Sequence, residues 1–238
     1  LLTLNDKTMR YDRQMLLPDI GEDGQQKLKQ AQVLIVGVGG LGSPIALYLT
    51  GAGVGCIGLV DDDVVSISNL QRQVLYSEKE LGKPKAICAA ERLSALNSEI
   101  TIRTYPIRLT EENVQEIISQ YDIVVDGCDN FSTRYLINDI CAEMGKVYVY
   151  GAICGFEGQV SVFHYGEEKK SYRDLYPDEE EMRRMPPPPK GVMGITPAVT
   201  GSIEATEVLK IICGFGEVLS GKLWTIDLRT LQSNKFSL

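Results

Sequence analysis

Gly37-Val38-Gly39-Gly40-Leu41-Gly42 stands directly behind the apolar run Val33-Leu34-Ile35-Val36. A β-branched run, then G-x-G-x-x-G, then helix-compatible residues 41–49 is the pattern of a phosphate-binding strand–turn–helix. The glycines let the backbone turn tightly and approach an anion, and the helix start offers its free N–H groups. Gly39 and Gly40 lie within that turn. Asp61 closes the next apolar run, Ile57 to Val60, and lies 61 − 42 = 19 residues past the last glycine. An acid about 20 residues on is positioned for a ribose hydroxyl. By themselves these features fit NAD(P) and other nucleotides equally.

The residues that follow favour ATP. They are Asp61-Asp62-Asp63, Ser68-Asn69-Leu70-Gln71-Arg72-Gln73 and Lys83-Pro84-Lys85. A dinucleotide site needs few cations beyond the helix dipole. A triphosphate losing pyrophosphate needs several, because negative charge develops as it leaves. Arg72 and Lys85 supply them. Asp126-Gly127-Cys128-Asp129-Asn130 then brings a carboxylate, Asp129, to the same sheet edge, where it suits Mg²⁺. The set describes a magnesium–nucleotide site without a Walker A sequence.

Plainer roles stand beside these. Asp62 and Asp63 also fit a solvated turn, with contact to the metal the lesser expectation for Asp63. Cys128 at a strand end reads as packing. His164, the single histidine, lies in an alternating strand and reads as structural. The acidic run 178–181 reads as a solvated face, and Pro186 to Pro189 as a stiff spacer.

The elements that must position these residues alternate. Short apolar runs at 33–37, 56–61, 100–105, 122–126 and 147–151 are separated by helical spacing near 41–52, 78–96, 110–119 and 130–144. Thr110 is the expected N-cap of the third of those helices. This predicts an α/β, Rossmann-like, doubly wound, mainly parallel sheet. Residues 159–165, 222–228 and 231–236 alternate like antiparallel strands that extend it, and a helix is expected over roughly 196–213. Residues 166–194 read as a long mobile loop or lid. One domain is expected over 1–238, with a helical arm at 1–32, a nucleotide-binding part at 33–155 and a second part at 156–238.

The chain has 238 residues, 44% of them hydrophobic and 24% charged, and a net charge of −8. That charge argues against nucleic acid or an anionic membrane surface as partner. No apolar stretch approaches the roughly 18 residues of a membrane helix. The start, Leu1, lacks a signal-like pattern and need not be the native one. A cytoplasmic location is the expectation. The six cysteines are scattered, mostly in apolar runs and without C-x-x-C spacing. They read as reduced, buried thiols rather than disulfides or a zinc knuckle.

G-x-G-G-L-G, D-x-D, S-N-L-Q-R-Q, G-K-P-K and D-x-x-D-N, in this order, resemble the ThiF/MoeB/HesA group. This is the bacterial branch of the ubiquitin-activating-enzyme superfamily. The resemblance runs from Arg10-Tyr11-Asp12-Arg13-Gln14 to the helix starting at Thr196-Pro197. It implies that Mg–ATP adenylates the C-terminal Gly-Gly tail of a ubiquitin-like sulfur carrier. The first carrier it suggests is of the thiamine-thiazole (ThiS) type and the second of the molybdopterin (MoaD) type. A tRNA-modifying dehydratase of the same superfamily, an NAD-dependent oxidoreductase and a nucleotide-binding scaffold are the alternatives.

By the resemblance, Gly39 and Gly40 line the phosphate turn, Asp61 holds the ribose, Ser68, Asn69, Arg72, Gln73 and Lys85 face the nucleotide, and Asp129 binds Mg²⁺ beside Asn130. Arg13 reaches into the partner subunit's site, implying a homodimer. Many relatives carry two zinc-binding C-x-x-C pairs, but this chain has Ser171-Tyr172-Arg173-Asp174 where the first would fall. Zinc is therefore not expected. No cysteine lies between Gly155 and Ile212, so a covalent carrier step would need another residue or another protein, such as a sulfur-donor enzyme.

Overall fold

A computed structural model describes residues 9–186 and 191–238. Residues 1–8 of the expected arm and Pro187 to Pro189 of the proline run lie outside the described residues. After two helices, α1 (Asp12–Met15) and α2 (Gly21–Gln30), the chain alternates strand and helix. The order is β1 (Gln32–Val36), α3 (Gly42–Ala52), β2 (Cys56–Val60), α4 (Lys85–Leu96), β3 (Thr101–Tyr105), α5 (Val114–Ile118), β4 (Ile123–Asp126), α6 (Phe131–Met144) and β5 (Val147–Cys154). Next come β6 (Glu157–Phe163), α7 (Tyr172–Leu175), α8 (Glu179–Arg184), α9 (Ile195–Cys213), β7 (Lys222–Asp227) and β8 (Gln232–Ser237).

Among the described residues these strands form one sheet of eight, ordered β3-β2-β1-β4-β5-β6-β7-β8. The first five run parallel, and β6, β7 and β8 extend the sheet antiparallel. The expected architecture is thus the observed one. Central strands read as unbroken apolar runs because helices cover both faces: Val33 to Ile35 and Val124 and Val125 are fully buried. The chain order reverses between β1 and β4, and the crevice outside the carboxyl ends of strands at such a switch point is where ligands bind.

Two glycines make the switch point possible. Gly37, at φ +89°, ends β1, and Gly127 follows β4. A Cβ on Gly127 would overlap the Gly37 carbonyl oxygen, and one on Gly37 would meet the Gly127 carbonyl. The two turns touch through bare backbone.

Three local expectations need correction. The helix read over 78–96 divides into a 3₁₀ turn at Glu78–Glu80 and α4, because Gly82 (φ +80°) and Pro84 break the run. Lys85 thereby becomes the first residue of α4. Thr110 does not cap α5 with its hydroxyl. Asn113 is the residue before the helix, its Oδ1 takes the Thr110 N–H at 2.9 Å, and the Thr110 carbonyl accepts the Val114 N–H.

The third concerns 166–194, which carries two helices where a structureless loop was expected. Asn138 Oδ1 on α6 accepts from Ser171 Oγ (3.1 Å), the Tyr172 N–H (2.8 Å) and His164 Nε2 (3.0 Å). Asp178 caps α8, whose acids pair with arginines: Glu179 with Arg173 and Arg183, and Glu180 with Arg184. The acidic run is therefore a cap and an ion-pair set as well as a solvated face. His164 sits just past β6 at φ +60° rather than within the strand. Burial lowers its pKa, which suits a structural hydrogen-bond donor.

Candidate nucleotide-binding active site

A cleft of 1190 Å³ opens at the switch point and continues along the ends of β6, β7 and β8. Gly39, Gly40, Asp61, Asp63, Asn69, Arg72, Gln73, Lys85, Asp129 and Asn130 all line it. Residues spread from position 39 to position 130 converge because each follows or precedes a strand end on one side of the sheet.

The turn is held from three sides. Asp61 ends β2 beside it and is buried; its Oδ2 accepts the Val38 N–H at 2.8 Å and its Oδ1 the Asp63 N–H at 2.9 Å. Burial raises the Asp61 carboxyl pKa against the lowering by those two N–H groups. The Tyr76 hydroxyl donates to the Val38 carbonyl at 2.7 Å. Lys85 Nζ, buried at the start of α4, reaches Asp63 Oδ2 at 2.8 Å. In this arrangement Asp63 orients the lysine.

Arg72 donates through Nη1 to the Ser68 carbonyl at 3.0 Å. The Ser68 hydroxyl faces Ser66 Oγ at 3.0 Å, Ser68 is not among the residues lining the cleft, and its carbonyl positions Arg72. Asn69 closes a capping box with Ser66. Asn130 caps α6, its Oδ1 accepting the Thr133 N–H at 2.9 Å, so that helix start faces the cleft beside Asp129.

These residues fit a triphosphate and its metal. Gln73 Oε1 is buried without a hydrogen-bond partner, and a Cβ on Gly40 would come within 3.2 Å of Pro197 and 3.7 Å of Arg72 Cδ. A side chain at Gly40 would crowd Pro197. Asp129 is exposed in the cleft. Mg²⁺ takes one or two carboxylates and completes its shell with phosphates and water. Among the described residues no three or more His, Cys, Asp or Glu side chains gather as a dedicated cage would require.

Arg13 also lies away from this cleft. It is exposed on α1. The segment is anchored where α3 and α4 end, through Gln14 Nε2 to the Ala52 carbonyl (2.9 Å) and Asn97 Nδ2 to the Tyr11 hydroxyl (2.8 Å). Those are the ends remote from the glycine turn.

Five cysteines are buried, but Cys154 is exposed and forms part of the cleft wall, contrary to the expectation of buried thiols. Burial, then the Asp126 carboxylate, pushes the Cys128 thiol well up, so Cys128 stays protonated and packs. Among the described residues no helix is long and apolar enough to cross a membrane.

Several residues of the site carried no motif. Arg134, Tyr150, Gln159, Tyr176 and Arg183 also line the cleft. Gln159 Nε2 donates to the Tyr150 hydroxyl (2.6 Å) and the Tyr176 hydroxyl (3.0 Å), joining β5, β6 and the segment after α7. Only Arg134 left a signal: a cation early in a helix opposes the dipole, so it needs a partner.

Glu204 on α9 packs against Gly151 of β5, fully buried, with both carboxyl oxygens unpartnered. Burial, then the Asp126 carboxylate, raises its pKa well above the usual carboxylate range. The folded state thus keeps a proton that the unfolded chain releases, and stability falls as pH rises from the unfolded carboxylate pKa towards the raised folded one. Glu204→Gln removes this dependence. Its stability should gain on the wild type as pH rises from 5 to 8, by at most about 1.4 kcal/mol per pH unit, a melting-temperature gain of roughly 3–5 °C for each unit. Parallel melting curves at the two pH values would disprove it.

The fold and cleft fit the class of nucleotide-handling α/β proteins, with Arg72 and Lys85 and the exposed carboxylates of Asp62, Asp63 and Asp129 lining the cleft beside the glycine turn. The chain belongs to the ThiF family, whose model matches residues 11–238. It is 49% identical over 230 residues to the sulfur carrier protein adenylyltransferase of Thermus thermophilus, covering 92% of this chain and 82% of that one. It is 44% identical to the probable molybdopterin-synthase adenylyltransferase of Porphyra purpurea, covering 96% of this chain and 60% of that one. It is 46% identical to the probable adenylyltransferase/sulfurtransferase MoeZ of Mycobacterium tuberculosis, covering 93% of this chain and 58% of that one. The chain thus spans most of the first relative and under two thirds of the other two. Among solved structures, E. coli MccB with ATP superposes with a TM-score of 0.83 at 26% identity, covering 96% of this chain and 71% of that one. These adenylyltransferase relatives place the chain among nucleotidyltransferase enzymes.

Proposed function

We propose that this enzyme uses ATP and Mg²⁺ to adenylate the C-terminal glycine carboxylate of a ubiquitin-like sulfur carrier protein. The observation that carries the reading is the convergence of Asp61, Arg72, Lys85 and Asp129 on the glycine turn, in a cleft that runs on along β6 to β8. The first end suits Mg–ATP. The second, within the proposed carrier-binding part 156–238, offers the ends of β6 and β7 and the edge strand β8 to an extended tail. The names of the relatives support the substrate class.

In this reading the tail carboxylate attacks the α-phosphorus, the bond to the bridging oxygen breaks, and pyrophosphate leaves. Asp61 accepts from the ribose. Asn69, Arg72, Gln73 and Lys85 bind phosphate oxygens, and Lys85 exchanges its contact with Asp63 for one of them. Asp129, with Asn130 beside it, would hold Mg²⁺, whose charge offsets that of the phosphates. No side chain is needed as nucleophile, acid or base; the rate comes from positioning and preorganised charge. The sequence of steps ends at the acyl-adenylate, and a separate sulfur-donor protein is the expected source of sulfur.

The test is ATP–pyrophosphate exchange with and without carriers. Exchange that requires a ThiS-type or MoaD-type carrier supports the proposal and names the carrier. Exchange only with tRNA would favour a dehydratase, and NADH turnover without ATP an oxidoreductase.

Arg13 in its own protomer is remote from the cleft, which supports a homodimer in which it serves the partner's site. Arg13→Ala and Asp129→Ala subunits, each inactive alone, should regain activity on mixing. Random reassortment restores about a quarter of the sites, since one site per mixed dimer is complete. Mixtures as inactive as the parents would exclude action in trans.

A further inference from the structure

We propose that Arg134 is a positioning residue of the adenylation site, tying the turn that carries Asp129 to β5, the neighbouring strand whose end forms part of the cleft wall. The inference rests on the proposed nucleotide site. Arg134 lies in the first turns of α6 and is buried. Its Nε donates to Asp126 Oδ2 at 2.9 Å. Its Nη2 donates to the Cys128 carbonyl at 2.7 Å and to the Gly151 carbonyl at 3.2 Å, and the guanidinium stands 5.5 Å over the Tyr150 ring.

Asp126 completes the clamp. Its Oδ1 accepts the Cys128 N–H at 2.7 Å, and its Oδ2 also accepts the Tyr148 hydroxyl at 2.9 Å. The Cys128 backbone is therefore gripped at both its N–H and its carbonyl, one residue before Asp129. The same Nη2 reaches Gly151, from which Ala152, Ile153 and Cys154 continue as cleft wall. One planar group fixes the metal-side carboxylate relative to the tail-side strand. Lysine, a point charge without the fork, cannot span all three acceptors.

The experiment compares wild type, Arg134→Lys, Arg134→Ala and Tyr148→Phe. It measures Mn²⁺ affinity, by water-proton relaxation with a non-hydrolysable ATP analogue, together with pyrophosphate-exchange kinetics. Arg134→Lys should raise the half-saturating Mn²⁺ concentration by roughly 10-fold or more and lower kcat by roughly 10²-fold. KM for the carrier should stay within about twofold. Adding guanidinium to Arg134→Ala should restore part of the Mn²⁺ affinity. Tyr148→Phe, which keeps the fork and loses one brace on Asp126, should show a roughly two- to five-fold metal effect. It carries the test if Arg134→Lys fails to fold.

A folded Arg134→Lys with wild-type Mn²⁺ affinity and kcat, altered only in melting temperature, would overturn the proposal and leave a purely structural residue. So would unchanged metal affinity in Tyr148→Phe should Arg134→Lys fail to fold. If wild type binds the Mn²⁺–analogue complex but exchanges pyrophosphate with no carrier, the carrier reading fails. Weakened metal binding in Arg134→Lys would then still support Arg134's role, and unchanged binding would overturn it.

Discussion

Asp129→Ala and Arg72→Ala each lower carrier-dependent ATP–pyrophosphate exchange by roughly 10²-fold or more, the scale for losing one preorganised electrostatic contact to a transition state. In the proposed reaction the two residues act on the same charge from different elements. Asp129 projects from the turn after β4 beside the α6 N-terminus. Arg72 comes from the irregular segment after β2 and is oriented by the Ser68 carbonyl. Neither is part of the core: Asp129 is exposed and Arg72 half-buried. Their removal should shift stability by no more than about 0.5 kcal/mol. The expected result is therefore a folded, inactive enzyme, measured as initial exchange rate beside a melting curve. Near-normal exchange in both variants would show that the site is misplaced.

Gly127→Ala should do the reverse, striking the fold at the same point. Its new Cβ would overlap the Gly37 carbonyl oxygen at the junction of the two turns, where the obstacle is backbone and cannot rotate away. A loss of about 2–4 kcal/mol is expected, which for a chain of this size lowers the melting temperature by roughly 5–15 °C. Nucleotide affinity should fall with it, because the displaced turn carries Gly39 and Gly40. Gly51→Ala is the control. It is an exposed helical position where a Cβ meets nothing within 4 Å, and there alanine should be neutral or mildly stabilising. Equal melting temperatures for the two variants would refute the account of the switch point.

Much of this site was legible in the sequence because its residues sit at strand ends. The glycine turn and Asp61 each follow an apolar run directly, Asp129 comes three residues after another, and a parallel sheet puts all such ends on one edge. Lys85 was legible as a cation, but its place at a helix start depended on Gly82 and Pro84 breaking the run. Arg134 and Tyr148 were not singled out. Their roles come from side chains meeting across β4, β5 and α6, contacts with no fixed spacing along the chain. The segment after β6 was misread for a similar reason. Its polar, proline-rich composition reads as loop, yet Asn138, far away on α6, supplies the acceptor that Ser171, Tyr172 and His164 share. Glu204 was equally hidden, since an acid on a mostly apolar helix gives no sign of which side it faces.

The central claim is that a protein's terminal carboxylate is joined to AMP in this cleft, and intact-mass measurement of the carrier tests it most directly. The enzyme is incubated with ATP, Mg²⁺ and a carrier ending in Gly-Gly. The account predicts an AMP adduct on the carrier, lost when the last glycine is removed, absent with Asp129→Ala and accompanied by pyrophosphate release. Pyrophosphate release without an adduct on any carrier, or an adduct that persists on a carrier lacking its terminal glycine, would contradict it.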